Sequence, residues 1–155
     1  KMQQVGGATS ITGVQAKYFL KLGVFHLDND VLWQATTSPQ VRIPTWATTH
    51  AIYLEAKLFK KKLLINAGVD VRYLSAFERQ GYSPMTFNFY NADGAESSSM
   101  FTYDAFISYK IRLLRGFIRV DNINNIYDKK AQYQIDRYPI DKFAIKFGFD
   151  WIFNN

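Results

Sequence analysis

The sequence near the C-terminal end reads Phe143-Ala144-Ile145-Lys146-Phe147-Gly148-Phe149-Asp150-Trp151-Ile152-Phe153. Every odd-numbered position in this stretch carries a large apolar side chain, while lysine, glycine and aspartate occur at even positions. Because successive side chains of a β-strand point to opposite sides, the stretch predicts a strand with one apolar and one polar face. An apolar face so rich in aromatic rings has to be covered, either by a second layer of protein or by lipid.

Six other segments show the same period of two residues, and no segment sustains a helical period. The seven predicted strands are residues 10–19, 25–35, 49–59, 63–73, 101–112, 117–123 and 143–153. Their lengths bracket the roughly 9–11 residues that a tilted strand needs to cross a bilayer. Segment 10–19 has the weakest alternation of the set.

The connections between these segments alternate in length. Short turns are predicted at residues 20–23, 59–62 and 113–116, and long loops at residues 36–48, 74–100 and 124–141. All four prolines lie in the long loops, as a continuous sheet requires, because proline cannot donate a ladder hydrogen bond. Short turns at one end and long loops at the other are typical of outer-membrane barrels.

The composition excludes several kinds of chemistry. The 155 residues contain no cysteine and two histidines, His26 and His50, which excludes thiol catalysis and leaves little for a metal site. The pair Asp28 and Asp30 lacks the glycine and distant glutamate of a calcium-binding loop. We therefore expect no enzymatic activity, no cofactor and no metal.

A nucleic-acid partner is also not expected, although the net charge is +6. The basic residues are spread along the strands, and the only dense run, Lys60-Lys61-Lys62, lies in a predicted turn. The segment Arg115–Val120 is partly similar to an RNA-binding signature, but Ile118 and Arg119 stand where that signature needs a small and an aromatic residue.

The charged faces of the predicted strands are assigned to water, because Lys or Arg facing lipid at the bilayer midplane costs about 2–4 kcal/mol. The predicted pore-lining residues are His26, Asp28, Asp30, Gln34, Asn66, Asp70, Arg72, Asp104, Lys110, Arg112, Arg119, Lys146 and Asp150. The predicted lipid-facing residues are Leu27, Val31, Ile65, Val69, Val71, Ile107, Phe143, Ile145, Phe147 and Phe149. An aromatic girdle near the strand ends is predicted at Trp33, Tyr53, Tyr73, Tyr103 and Trp151.

Backbone groups in lipid find no water, so such a sheet must close on itself. The predicted fold is all-β, an antiparallel transmembrane β-barrel with short periplasmic turns and long extracellular loops. Bacterial single-chain barrels have an even number of strands, so we expect residues 1–155 to be the C-terminal portion of a single larger barrel domain. The alternative is a soluble β-protein with the aromatic residues in its core.

Three parts of the sequence resemble the putative porin family of the outer membrane of Bacteroidota. They are Phe25–Asn29, the string Tyr53–Lys61 followed by Ala67–Tyr73, and the ending Tyr138-Pro139-Ile140 with the strand Phe143–Phe153. The resemblance extends over roughly residues 13–153. It implies an outer-membrane β-barrel that acts as a pore, with this chain covering the C-terminal portion of a family member.

The segment Val120–Lys130 is similar to the penultimate hairpin of TonB-dependent transporters, which also end in an aromatic strand. A transporter barrel is therefore the first alternative, and a non-conducting barrel subunit or scaffold of an outer-membrane complex is the second. A soluble ligand-binding β-barrel is the third.

The function expected is passive diffusion of small polar solutes through the outer membrane of a Gram-negative bacterium. The expected partners are outer-membrane lipid, lipopolysaccharide and, during insertion, the barrel-assembly machinery. Other subunits of an outer-membrane complex are further candidate partners.

Overall fold

The computed structural model describes residues 8–91, 98–127 and 132–153. Its elements in chain order are β1 (Ile11–Leu22), β2 (Phe25–Thr36), β3 (Trp46–Leu58), β4 (Leu63–Leu74), β5 (Gln80–Ser83), β6 (Asn88–Asn91), β7 (Met100–Ile111), β8 (Leu114–Asp121), α1 (Asn124–Tyr127), β9 (Tyr133–Ile135), β10 (Tyr138–Pro139) and β11 (Ala144–Trp151). No helix in these ranges has the length and apolar character to cross a membrane.

Seven of the strands form one sheet in the order β1-β2-β3-β4-β7-β8-β11. Every neighbouring pair is antiparallel. Each predicted strand corresponds to one strand of this sheet, which confirms the all-β antiparallel architecture. The weakly alternating segment 10–19 forms β1, whose twelve residues all pair with β2.

Tight turns join the strands at one end of the sheet. The turns after β1 and β7 each use two residues, and the first of the two has a positive φ, 63° at Gly23 and 51° at Arg112. A positive φ at this position gives the turn a backbone twist that matches the right-handed twist of the two strands it joins. The turn after β7 ends before the position predicted, because pairing of Ile111 with Leu114 already closes the hairpin.

The long loops at the other end contain structure that the sequence pattern did not reveal. The loop after β4 contains the hairpin β5–β6, and the loop after β8 contains helix α1 and the hairpin β9–β10. Strands of two to four residues are too short for a period of two to stand out in a sequence.

The sheet is open in the described part of the chain. There β1 pairs only with β2, and β11 pairs only with β8, so the predicted closure into a barrel is not observed within these residues. Within the described ranges no second layer covers the apolar side of the sheet. Met100 is the one large apolar residue of these ranges that is buried, at 5% exposure.

Candidate functional site

The register of the sheet sorts its side chains into two faces, because directly opposite residues of antiparallel strands point to the same side. Asp28 lies opposite Ala51, Ala51 opposite Asp70, and Asp70 opposite Asp104. The side that carries these aspartates is the polar face. The other side, which carries Ile107, is the apolar face.

The register places every predicted pore-lining residue except Arg112 on the polar face. They are His26, Asp28, Asp30 and Gln34 on β2, Asn66, Asp70 and Arg72 on β4, Asp104 and Lys110 on β7, Arg119 on β8, and Lys146 and Asp150 on β11. The assignment of Arg112 to a strand face is wrong, because it lies in the two-residue turn after β7.

The predicted lipid-facing residues lie on the apolar face, apart from Phe143, which precedes the first residue of β11. The others are Leu27, Val31, Ile65, Val69, Val71, Ile107, Ile145, Phe147 and Phe149. Their exposure is high at the open edge, 78% for Phe147 and 77% for Phe149. Side chains of this size are normally covered in a folded protein, so the apolar face needs a covering medium.

Four of the five predicted girdle residues lie on the apolar face near strand ends, and Tyr53 does not. Trp33, Tyr73 and Tyr103 lie towards the loop end, and Trp151 lies at the turn end. Tyr53 lies in the middle of β3 on the polar face, opposite His26. Its assignment to the girdle is therefore wrong.

Tyr53 belongs instead to a polar cluster on β2 and β3. Its ring stacks on His26 with 4.8 Å between ring centroids, and its hydroxyl donates to Asp28 Oδ2 over 3.2 Å. On the other side Tyr53 lies opposite Gly68. A Cβ at Gly68 would collide with the Tyr53 backbone and Cβ, so glycine permits the close approach of the two strands.

Arg119 is the centre of an ion-pair network on the polar face. Its Nη2 lies 2.7 Å from Asp104 Oδ2 and 3.1 Å from Asp70 Oδ2, and its Nε lies 2.7 Å from Asp121 Oδ1. Asp104 also accepts from the backbone N–H of Asn122 over 2.9 Å. These bonds hold three carboxylates from β4, β7 and β8 around one guanidinium.

Two more cations complete the network. Arg72 Nη2 lies 3.1 Å from Asp104 Oδ2, and Lys146 Nζ lies 2.5 Å from Asp121 Oδ2. Three cations therefore balance the three aspartates, and the network has no net charge. The Asp104 side chain is only 7% exposed, so these pairs are screened by water less than pairs on an open surface are.

A second ion pair lies at the opposite edge of the polar face. Asp30 on β2 lies 3.0 Å from Lys17 Nζ on β1 and accepts from Gln15 Nε2 over 2.7 Å. Lys17 and Gln15 were not among the predicted pore-lining residues. Their place on the polar face follows only from pairing of β1 with β2.

The three long loops contact one another above the loop end of the sheet. Arg42 in the first loop donates from Nη1 to the Arg79 carbonyl in the second loop over 2.9 Å. The backbone N–H of Asp136 in the third loop donates to the Gln80 carbonyl over 2.9 Å. The Arg79 guanidinium lies 5.6 Å from the centroid of the Tyr133 ring. The loops therefore form one connected cover.

A sequence profile of the family described as putative porin matches residues 1–155. The chain belongs to the putative porin family. No curated protein and no solved structure gives a significant match. Membership of the putative porin family is consistent with a β-barrel of the outer membrane, and it agrees with the antiparallel sheet and its two distinct faces. The end of the string that resembles TonB-dependent transporters, residues 128–130, lies outside the described residues.

The apolar face also contains a polar pair that sequence reasoning missed. Asn29 on β2 lies opposite His50 on β3, and Asn29 Oδ1 lies 2.5 Å from His50 Nδ1. Asn29 is 5% exposed. The sequence shows a polar residue on the apolar face of each strand, and only the register reveals that Asn29 and His50 face each other.

The described residues offer no three-ligand metal site. Within 8–91, 98–127 and 132–153, no three His, Asp or Glu side chains are grouped so that they could hold a metal ion. Asp30, Asp70, Asp104 and Asp121 of the polar face pair with arginine or lysine. The arrangement places hydrogen-bonding groups and charges of both signs on one face of the sheet.

Proposed function

We propose that the chain is part of an outer-membrane β-barrel porin through which small polar solutes diffuse passively. The observation that carries the proposal is that one sheet has an exposed apolar face on one side and, on the other, a polar face with a charge-balanced network of ion pairs. Lipid would cover the first face and water would fill the space against the second.

Strand length supports a membrane position. A strand of twelve residues, such as β2 or β4, is about 40 Å long at about 3.3 Å per residue. Tilted by about 45°, it rises about 28 Å, close to the thickness of the hydrocarbon core of a bilayer. The short turns would then lie on the periplasmic side and the interlocked loops on the extracellular side.

The open edges support a larger barrel of which residues 1–155 form one portion. Both β1 and β11 run from the loop end to the turn end, since they are the first and seventh strands of an antiparallel sheet. Direct pairing of these edges would be parallel. If an odd number of further strands lay between these edges, every neighbouring pair of strands would be antiparallel. The total number of strands would then be even, as in bacterial barrels.

The proposal extends to the location and the partners of the chain. The apolar face would contact outer-membrane lipid and lipopolysaccharide of a Gram-negative bacterium, and the barrel-assembly machinery would insert the barrel. We propose no nucleic-acid partner, no cofactor and no enzymatic activity. The balanced Arg119 network favours weak ion selectivity, because neither sign of charge dominates the polar face.

A non-conducting barrel subunit is the second candidate, and the position of the third loop over the loop end of the polar face is the observation that favours it. Conductance of the full-length protein in planar bilayers distinguishes the two. We expect stepwise current increases and a reversal potential near zero in a salt gradient. A folded, inserted barrel that carries no current would overturn the porin proposal in favour of the scaffold.

A further inference from the structure

A cavity of about 660 Å³ lies between the loop end of the polar face and the hairpin β9–β10. Two rows of the sheet form its floor. The outer row is apolar and runs through Leu32, Ala47, Leu74 and Met100, and the row below it runs through Asp30, Thr49, Arg72 and Thr102. A cavity of this volume is in the range of sites for small molecules.

The roof of the cavity comes from the third loop. Gln134, Ile135, Tyr138 and the segment Pro139–Asp141 line it. Tyr138 packs edge-on against Tyr82 of the second loop, with 5.9 Å between ring centroids. At the base of the roof, Asn122 Nδ2 donates to the Asp141 carbonyl over 2.6 Å. The roof is therefore anchored both to the sheet and to a neighbouring loop, so the cavity is formed before any solute arrives.

Three charged residues line the cavity: Asp141 in the roof, and Asp30 and Arg72 in the floor. The two floor residues already have partners in the protein. Asp30 pairs with Lys17, and Arg72 pairs with Asp104. A charged solute would have to compete with these pairs. A neutral solute with many hydroxyl groups would not, because a hydroxyl can donate to Asp30 and accept from Arg72 while both keep their partners.

We propose that this cavity is a binding subsite for a neutral polyhydroxylated solute of monosaccharide to disaccharide size. The C–H surface of such a solute packs on the apolar row, and its hydroxyls reach the row that contains Thr49 and Thr102. Binding slows the solute at the entrance and selects it by chemistry as well as by size. The proposal rests on the porin function, because it places the subsite on the solute's path.

The test uses the full-length protein in planar bilayers with maltose as the probe. We expect maltose to reduce the ion current in a concentration-dependent way, more strongly than a polyethylene glycol of equal hydrodynamic radius. The variant Thr102→Trp fills the cavity and should raise the half-blocking maltose concentration at least tenfold. The control Ser108→Trp adds the same side chain to the same face of β7, six residues nearer the turn end, and should change it less than twofold.

The milder variant Thr102→Val keeps the shape of the side chain and removes one hydroxyl, so it tests the subsite even if the tryptophan variant does not fold. We expect it to weaken maltose block about threefold or more. Equal block by maltose and polyethylene glycol, or stronger block by gluconate or glucosamine, would overturn the subsite and leave the pore intact.

If the protein conducts no current, the porin proposal is overturned, but the binding subsite can still be tested. Equilibrium dialysis of radiolabelled maltose against the detergent-solubilised protein then decides. Retention that Thr102→Trp abolishes and Ser108→Trp preserves supports the subsite, and absence of retention overturns it.

Discussion

Arg119 on β8 donates from Nη2 to Asp104 Oδ2 on β7 over 2.7 Å, although the two residues are not directly opposite. Arg119 lies opposite Phe106, which is two residues nearer the turn end of β7 than Asp104 is. The diagonal reach lets a single guanidinium also contact Asp70 and Asp121. One cation therefore holds together three strands on the polar face.

Replacing Arg119 by methionine should destabilise the protein by an amount between the ~1 kcal/mol of exposed pairs and the ~3 kcal/mol of buried ones. The change leaves three neighbouring carboxylates with only Arg72 and Lys146 to balance them. Urea unfolding in lipid vesicles, followed by tryptophan fluorescence, measures the loss. Arg115→Met removes the same charge from the same face of β8, four residues nearer the turn end, and should cost less than about 1 kcal/mol. Equal losses would contradict the central role of Arg119.

Arginine at Ile107 and arginine at Ser108 should have very different effects, because these neighbours on β7 point to opposite faces. We expect Ile107→Arg to reduce the free energy of unfolding in a bilayer by about 2–4 kcal/mol. Ser108→Arg places the same charge on the polar face and should cost less than about 1 kcal/mol. Vesicle-reconstituted protein is required for the measurement. Similar costs at both positions would show that the two faces do not meet different solvents.

A side chain at Gly116 on β8 should displace the ring of Tyr109, its neighbour on β7. A Cβ built at Gly116 would lie 2.5 Å from Cζ and from the hydroxyl of Tyr109. We expect Gly116→Val to destabilise the protein by about 1–3 kcal/mol. The double variant Gly116→Val with Tyr109→Ser should be more stable than Gly116→Val alone, which a double-mutant cycle measures. Additive losses would mean that the ring is not the obstacle.

The pair formed by Asn29 and His50 should behave as a unit on the apolar face. His50→Leu leaves Asn29 Oδ1 buried without its partner and should cost about 1–3 kcal/mol. Asn29→Leu should do the same to His50. Replacing both residues by leucine should recover most of the stability, because two apolar side chains need no partner. Unfolding of the four proteins in vesicles tests this, and a double variant as unstable as the sum of the singles would contradict it.

The alternation of residue types was sufficient to predict most of the architecture. In Phe143–Phe153 it located a strand to within two residues of β11, and in residues 63–73 it matched β4 to within one residue. It also assigned Asp70 and Arg72 to one face and Val69 and Val71 to the other. A period of two depends only on local backbone geometry, so the sequence carries it directly.

Two assignments were wrong because the alternation within one segment does not show which residues lie beside it in the sheet or where a turn begins. Tyr53 was assigned to the girdle as an aromatic residue near a strand end, whereas it lies in the middle of β3, opposite His26 and Gly68 on the polar face. Arg112 was counted as part of a strand because the alternation continues through it, although two residues are enough for the turn.

By itself, the sequence determined that the chain forms antiparallel strands with one apolar and one charged face, because side-chain alternation along a strand is a property of each segment alone. The tertiary structure decided which charges meet. It brought Arg119 to three aspartates, Asn29 to His50, and the three loops into a cover with a cavity beneath it. These contacts join residues far apart in the chain, and strand register and loop packing are set by all the segments together.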